Sequence, residues 1–123
     1  MYELVVHAHF SSAHRLRGYR GKCEELHGHN WKVAVRLAAD TLDNLGMVID
    51  FTVVKQKLNK IMQKLDHTYL NELPPFDSLN PSSENLSFYV FHELKKKINN
   101  DRISLKAVTV WESEDSLTTY SES

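Results

Sequence analysis

A chain of 123 residues with 41% hydrophobic and 25% charged residues has the make-up of one globular domain, residues 1–123, and excludes a disordered or fibrous protein. Fifteen Lys and Arg against sixteen Asp and Glu leave a formal charge of -1, which excludes a global positive field for nucleic acid or an anionic membrane. No apolar run approaches the roughly 20 residues of a membrane helix. The first residues lack the basic start of a secretory signal, and the single cysteine, Cys23, forbids an internal disulfide, so the expectation is a cytoplasmic protein.

From Tyr2 the even positions Leu4, Val6, Ala8, Phe10, Ser12 and His14 form one face of a period-two pattern, a first strand that ends on a histidine. Residues 15–26 mix glycines, arginines, a lysine and glutamates without apolar periodicity and read as a loop. A second strand follows, with His27, His29, Trp31, Val33, Val35 and Leu37 on one face. After a turn around Asp43–Gly46, the stripe Phe51, Val54, Leu58, Ile61, Met62 and Leu65 predicts a helix over about 52–65, capped by Asp50 or Thr52. Leu73-Pro74-Pro75 and Asn80-Pro81 break regular structure, and Ser82 or Ser83 caps a second helix with the stripe Leu86, Tyr89, Val90, Leu94 and Ile98. Residues 103–112 and 116–121 read as two strands joined by Ser113-Glu114-Asp115. The order ββααββ predicts an α+β fold, an antiparallel sheet with both helices on one face. Such a sheet has free edges, which is a reason to expect a homo-oligomer.

Seven histidines are the compositional anomaly. His27 and His29, one residue apart on a strand, project from one face about 7 Å apart at the Cα level, and His14 comes alongside if the first two strands pair. Three imidazoles with no thiolate make a zinc site of the catalytic type, open at a fourth position; isolated polar or core histidines are the other reading. His7 and His9 repeat the spacing, but their odd parity puts them on the opposite face as surface residues. Cys23, behind Arg15, Arg17, Arg20 and Lys22, is either a thiolate kept available by neighbouring cations or an inert cysteine. The same four cations suit either a phosphorylated ligand or a solvated loop. Asp66-His67, just past the first helix, is a candidate acid/base pair or a histidine placed for the helix dipole. Glu112 shares parity with Val108 and Val110 on an otherwise apolar face, where it either reaches water or receives two parallel N–H bonds from a guanidine-like edge.

Phe10-Ser11-Ser12-Ala13-His14-Arg15-Leu16, Cys23-x-x-x-His27-Gly28-His29-Asn30, Gly46-Met47-Val48-Ile49-Asp50-Phe51, Leu65-Asp66-His67, Asn80-Pro81-Ser82-Ser83-Glu84-Asn85 and Glu112, in that order, resemble the 6-pyruvoyl tetrahydropterin synthase and 6-carboxytetrahydropterin synthase family over nearly the whole chain. The resemblance implies a tunnelling fold, in which ββααββ subunits form trimers that commonly stack as hexamers with active sites at subunit interfaces. It also implies zinc on His14, His27 and His29, Cys23 as a proton-transfer residue, Asp66 and His67 as the second acid/base element, and Glu112 as the anchor of a pterin. The implied substrate is 7,8-dihydroneopterin triphosphate. Only three residues, Glu24, Glu25 and Leu26, separate Cys23 from His27. This spacer resembles the carboxy branch, whose product is 6-carboxy-5,6,7,8-tetrahydropterin, a precursor of queuosine, with release of acetaldehyde and triphosphate. The pyruvoyl branch, which keeps all three side-chain carbons, is the alternative. Glu24 and Glu25 stand beside Cys23 where some members carry a glutamate in place of the thiol. Outside the synthases, two readings remain: a zinc- or pterin-binding homologue without turnover, and hydrolysis by a metal-activated water.

Overall fold

The computed structural model describes residues 1–18 and 26–123, and opens on two long antiparallel strands, β1 (Tyr2–His14) and β2 (His27–Ala39). Their register runs unbroken from Tyr2 opposite Ala39 to His14 opposite His27. Helix α1 (Phe51–Leu65) starts where the Asp50 carboxylate accepts the Thr52 N–H at 2.8 Å, a side-chain cap for one of the orphan donors of the first turn. Helix α2 (Ser83–Ile98) starts the same way, with Ser82 Oγ accepting from Asn85 N at 3.1 Å. Strands β4 (Ser104–Trp111) and β5 (Leu117–Ser121) close the chain.

Between the helices lies an element that the pattern of the sequence does not show: a two-residue strand β3 (Thr68–Tyr69), followed by a single 3₁₀ turn over Leu70–Glu72. β3 pairs parallel to β1 at Ser12–Ala13, so the sheet order is β3-β1-β2-β4-β5, antiparallel except for this short edge. The Asp66–His67 corner makes that edge. As α1 ends, the Asp66 carboxylate accepts Ser11 N at 2.8 Å and His67 N donates to Ser11 O at 2.6 Å, so the corner acts as the next strand neighbour of β1. His67 takes the left-handed conformation, φ 54°, to make this turn. That conformation is uncommon outside glycine and costs backbone energy.

One hydrophobic cluster joins the helices to the even-numbered face of β1 and the odd-numbered face of β2. Val54, Leu58, Ile61, Met62 and Leu65 of α1 and Leu86, Val90, Leu94 and Ile98 of α2 are buried as their helical spacing predicts. Tyr89 of the second stripe is partly buried against the same core, and Phe51 departs furthest, 55% exposed. It stands at the first helical position, beyond the end of the buried stripe, and lines a shallow cleft of about 290 Å³ with Tyr2, Leu42 and Met47. Leu58 is fully buried against both layers, and Leu58→Ala is expected to lower stability by about 2–5 kcal/mol in denaturant unfolding, the range for a buried leucine that leaves a cavity. The opposite sheet face is open, with His7 and His9 exposed on it as their parity predicts.

Candidate metal and pterin site

The period of β1 and β2 brings the three predicted imidazoles together. Because His14 pairs with His27 and Ser12 with His29, all three rings lie on the helix-facing side at one end of the sheet, with ring centroids 4.5–5.1 Å apart. Trp31, completely buried one step deeper on the same face, forms their floor, at 4.9 Å from His14 and 5.3 Å from His29. Its indole N–H donates to Ser12 O at 3.3 Å, which fixes the ring. Glu112 follows β4 directly and reaches the same place. His14, His27, His29 and Glu112 each offer one ligand atom, all within 4.8 Å of one another.

The proton positions favour a cation among these atoms. His14 Nδ1 lies 2.7 Å from the Pro81 carbonyl oxygen, which can only accept, so Nδ1 carries the proton. Burial pushes the His14 ring below the usual histidine range. The neutral ring then turns the lone pair of Nε2 inward, toward His27 Nε2 at 3.0 Å. A backbone carbonyl on the outer nitrogen is the usual way a ligating histidine is oriented. His29 is also held below its usual range, first by burial. Its Nε2 is buried and makes no hydrogen bond: Glu112 Oε1 is only 3.2 Å away, but off the direction of a ring N–H, so the contact is an ion-pair distance without hydrogen-bond geometry. A buried ring nitrogen without a hydrogen bond is costly unless something else binds there. Tetrahedral zinc with nitrogens at about 2.0–2.1 Å would hold them about 3.3 Å apart, close to the 3.0 Å between His14 Nε2 and His27 Nε2. The residues fit the metal.

The other predicted residues are placed less simply. Asp66 and His67 form the pair expected of them, with His67 Nδ1 2.9 Å from Asp66 Oδ2. The Asp66 carboxyl is held below its usual range, first by the Ser11 N–H. The pair lies on the β1 edge, however, three residues before His14, and among the described residues none of its hydrogen bonds or ion pairs reaches the histidine cluster. The His67 side chain is 83% exposed. The Arg17 guanidinium is engaged within the chain: it donates to the carbonyls of Phe76, Asn71 and Leu79 at 2.6, 3.1 and 3.3 Å. Arg15 is exposed. Cys23, Arg20 and Lys22 lie outside the described residues. Two parts of the site were not anticipated. Trp31 was legible as the next same-face residue after His29, whereas nothing local in the sequence signals the Pro81 carbonyl.

The sequence model described as 6-pyruvoyl tetrahydropterin synthase matches residues 3–123. The solved Caenorhabditis elegans 6-pyruvoyl tetrahydropterin synthase has the same fold, with a TM-score of 0.87 and 29% identity, covering 99% of this chain and 96% of that one. The 6-carboxy-5,6,7,8-tetrahydropterin synthase of Synechocystis is 38% identical over 92 residues, 71% of this chain and 70% of that protein. A dihydroneopterin monophosphate aldolase of Pyrococcus furiosus is 28% identical over 109 residues, 89% of this chain and 88% of that protein. The chain belongs to the 6-pyruvoyl tetrahydropterin synthase family. It has the α+β tunnelling fold and is a lyase.

Proposed function

We propose that the chain converts 7,8-dihydroneopterin triphosphate to 6-carboxy-5,6,7,8-tetrahydropterin, releasing acetaldehyde and triphosphate, as a step toward deazapurine nucleosides such as queuosine. The observation that carries this reading is the convergence of His14, His27, His29 and Glu112 at one end of the sheet, in a chain with relatives that carry the carboxy-branch name. The three histidines would hold a zinc ion. Bound there, zinc would polarise the side-chain hydroxyls of the substrate and acidify the neighbouring C–H.

The chain's own residues then have separate tasks. Cys23 takes a proton from the side chain as thiolate, and His67, oriented by Asp66, handles the second proton transfer as the electrons move into the ring. Glu112 accepts the 2-amino group and ring N–H of the pterin in two parallel bonds, as a carboxylate does from the edge of an arginine. The exposed Asp66–His67 pair serves the cluster of a neighbouring copy. Two features support such a homo-oligomer, a trimer or a stacked hexamer: the outer edge of β1 is paired by β3 only at Ser12–Ala13, and β5 forms the opposite edge of the sheet. The short Cys23–His27 spacer is what favours the carboxy over the pyruvoyl product.

Incubation of the zinc-loaded protein with the triphosphate, followed by mass analysis, tests the reading. Carboxytetrahydropterin with one acetaldehyde per turnover is expected. A pyruvoyl product without acetaldehyde would move the chain to the other branch, and tight pterin binding without turnover would make it a binding protein. Glu112→Gln separates the two tasks open to that carboxylate. One acceptor becomes a donor facing the N–H groups of the pterin, so pterin affinity is expected to fall by about 1–3 kcal/mol, or roughly 5- to 150-fold, with zinc content unchanged in elemental analysis. Loss of zinc with pterin affinity intact would instead make Glu112 a metal ligand.

A further inference from the structure

The Pro81 carbonyl sets the proton of His14, and asparagine side chains hold the residue just before Pro81. Asn80 Oδ1 accepts from Arg17 N at 2.9 Å while Asn80 Nδ2 donates to Arg17 O at 3.0 Å, so one side-chain amide pairs with a backbone residue as a strand neighbour would. On its other side, Asn85 Nδ2 of α2 donates to the Asn80 carbonyl at 2.9 Å, and the Asn85 N–H rests on the Ser82 cap. Asn80 is therefore tied both to the chain just after His14 and to the first turn of α2. Pro81, next in sequence, has a φ fixed by its ring. With Asn80 held on both sides and the φ of Pro81 fixed, the position from which the Pro81 carbonyl meets His14 Nδ1 is restricted.

Asn71, 8% exposed, repeats the arrangement on Arg15, accepting from Arg15 N and donating to Arg15 O at 2.9 Å each. The Arg17 guanidinium closes the frame on the carbonyls of Asn71, Phe76 and Leu79. The two residues gripped in this way, Arg15 and Arg17, stand one and three residues after the histidine whose tautomer matters.

We infer that Asn80 is a positioning residue for His14: it keeps the Pro81 carbonyl on Nδ1 so that Nε2 always presents its lone pair to the metal. The inference rests on the proposed role of His14 as a metal ligand. A plain structural clamp would change stability alone, whereas a positioning residue also changes which nitrogen of His14 carries the proton.

The test compares wild type, Asn80→Ala, Asn85→Ala and Arg102→Ala. Arg102 donates to Thr41 O and Val48 O at 2.9 and 2.7 Å, tying down a turn with no contact to the site, so its loss measures general destabilisation. Three quantities are read: the ¹⁵N shifts of the His14 ring in metal-free protein, zinc affinity by chelator competition, and the unfolding temperature. Wild type should show His14 in the Nδ1–H tautomer. Asn80→Ala should mix the tautomers and weaken zinc about 10- to 100-fold, the usual cost of losing an outer partner of a ligand. Arg102→Ala should lower the unfolding temperature and leave both other quantities alone. An Asn80→Ala protein that unfolds earlier but keeps the Nδ1–H tautomer and wild-type zinc affinity overturns the inference. If Asn80→Ala does not fold, Asn85→Ala frees the Asn80 carbonyl from the α2 side only, and its tautomer and zinc affinity decide in the same sense. A wild-type chain that takes up no zinc would remove the metal reading, while the tautomer measurement would still decide the role of Asn80.

Discussion

His29→Ala is expected to give a folded chain that binds no zinc and turns over no substrate. Its Nε2 is the buried atom of the cluster without a hydrogen bond, so its energetic justification lies in binding something that the protein alone does not supply. Removing it leaves two imidazoles, and the Glu112 carboxylate beside them is committed to the pterin in the proposed reading, so two ligands remain where a catalytic zinc site has three and an open position. Metal activation of a substrate oxygen contributes several kcal/mol to the barrier, which corresponds to a rate loss on the order of 10³-fold or more. Elemental analysis and turnover measured on one preparation check both halves. Full zinc occupancy in His29→Ala would refute the assignment of the ligand set. His9→Ala is the control, since His9 lies on the other face of the same sheet and should leave zinc and rate unchanged.

The contrast between His9 and His29 shows why so much of this site was legible. A strand repeats every two residues, so parity alone assigns each histidine to a face, and pairing β1 with β2 in register makes neighbours of His14, His27 and His29. The helices were equally readable, because five apolar residues of α1 recur at helical spacing behind an aspartate cap. What escaped has one physical character: it depends on contacts that leave no local period. β3 is two residues long, too short to alternate. The Pro81 carbonyl meets His14 across 67 positions of sequence and acts through its backbone, so no side-chain pattern marks it. Arg17 was open to two readings, a phosphate ligand or a solvated loop cation, because composition shows a charge and not its partners; three backbone carbonyls accept from it. Asp66–His67 was readable as a pair. Its position on the sheet edge follows only from the corner that α1 makes against Ser11.

That position carries the second large effect. His67→Ala is expected to keep the fold and the zinc and to lose about 10²–10⁴-fold in turnover, the usual contribution of a general acid or base. The fold should survive because His67 meets Ser11 through its backbone N–H, which alanine retains, and because its ring is 83% exposed in the single chain. Asp66→Ala should behave differently. The Asp66 carboxylate accepts the Ser11 N–H as well as facing His67 Nδ1, and that backbone bond keeps it ionised below the usual carboxylate range. The part of stability that depends on this ionised form is therefore present above the ordinary carboxylate pKa and is lost as pH falls through the lowered one. Asp66→Ala should lose both turnover and this acid-side dependence, whereas His67→Ala should lose turnover and keep most of it; thermal unfolding against pH distinguishes them. If the pair serves a neighbouring copy, two inactive proteins should repair each other. Mixed after joint unfolding and refolding, His67→Ala and His29→Ala chains would form some interfaces with a wild-type histidine cluster on one side and a wild-type Asp66–His67 pair on the other. Activity that appears only in the mixture is the expected result, and a mixture as inactive as its parts would place both elements of each site in a single chain.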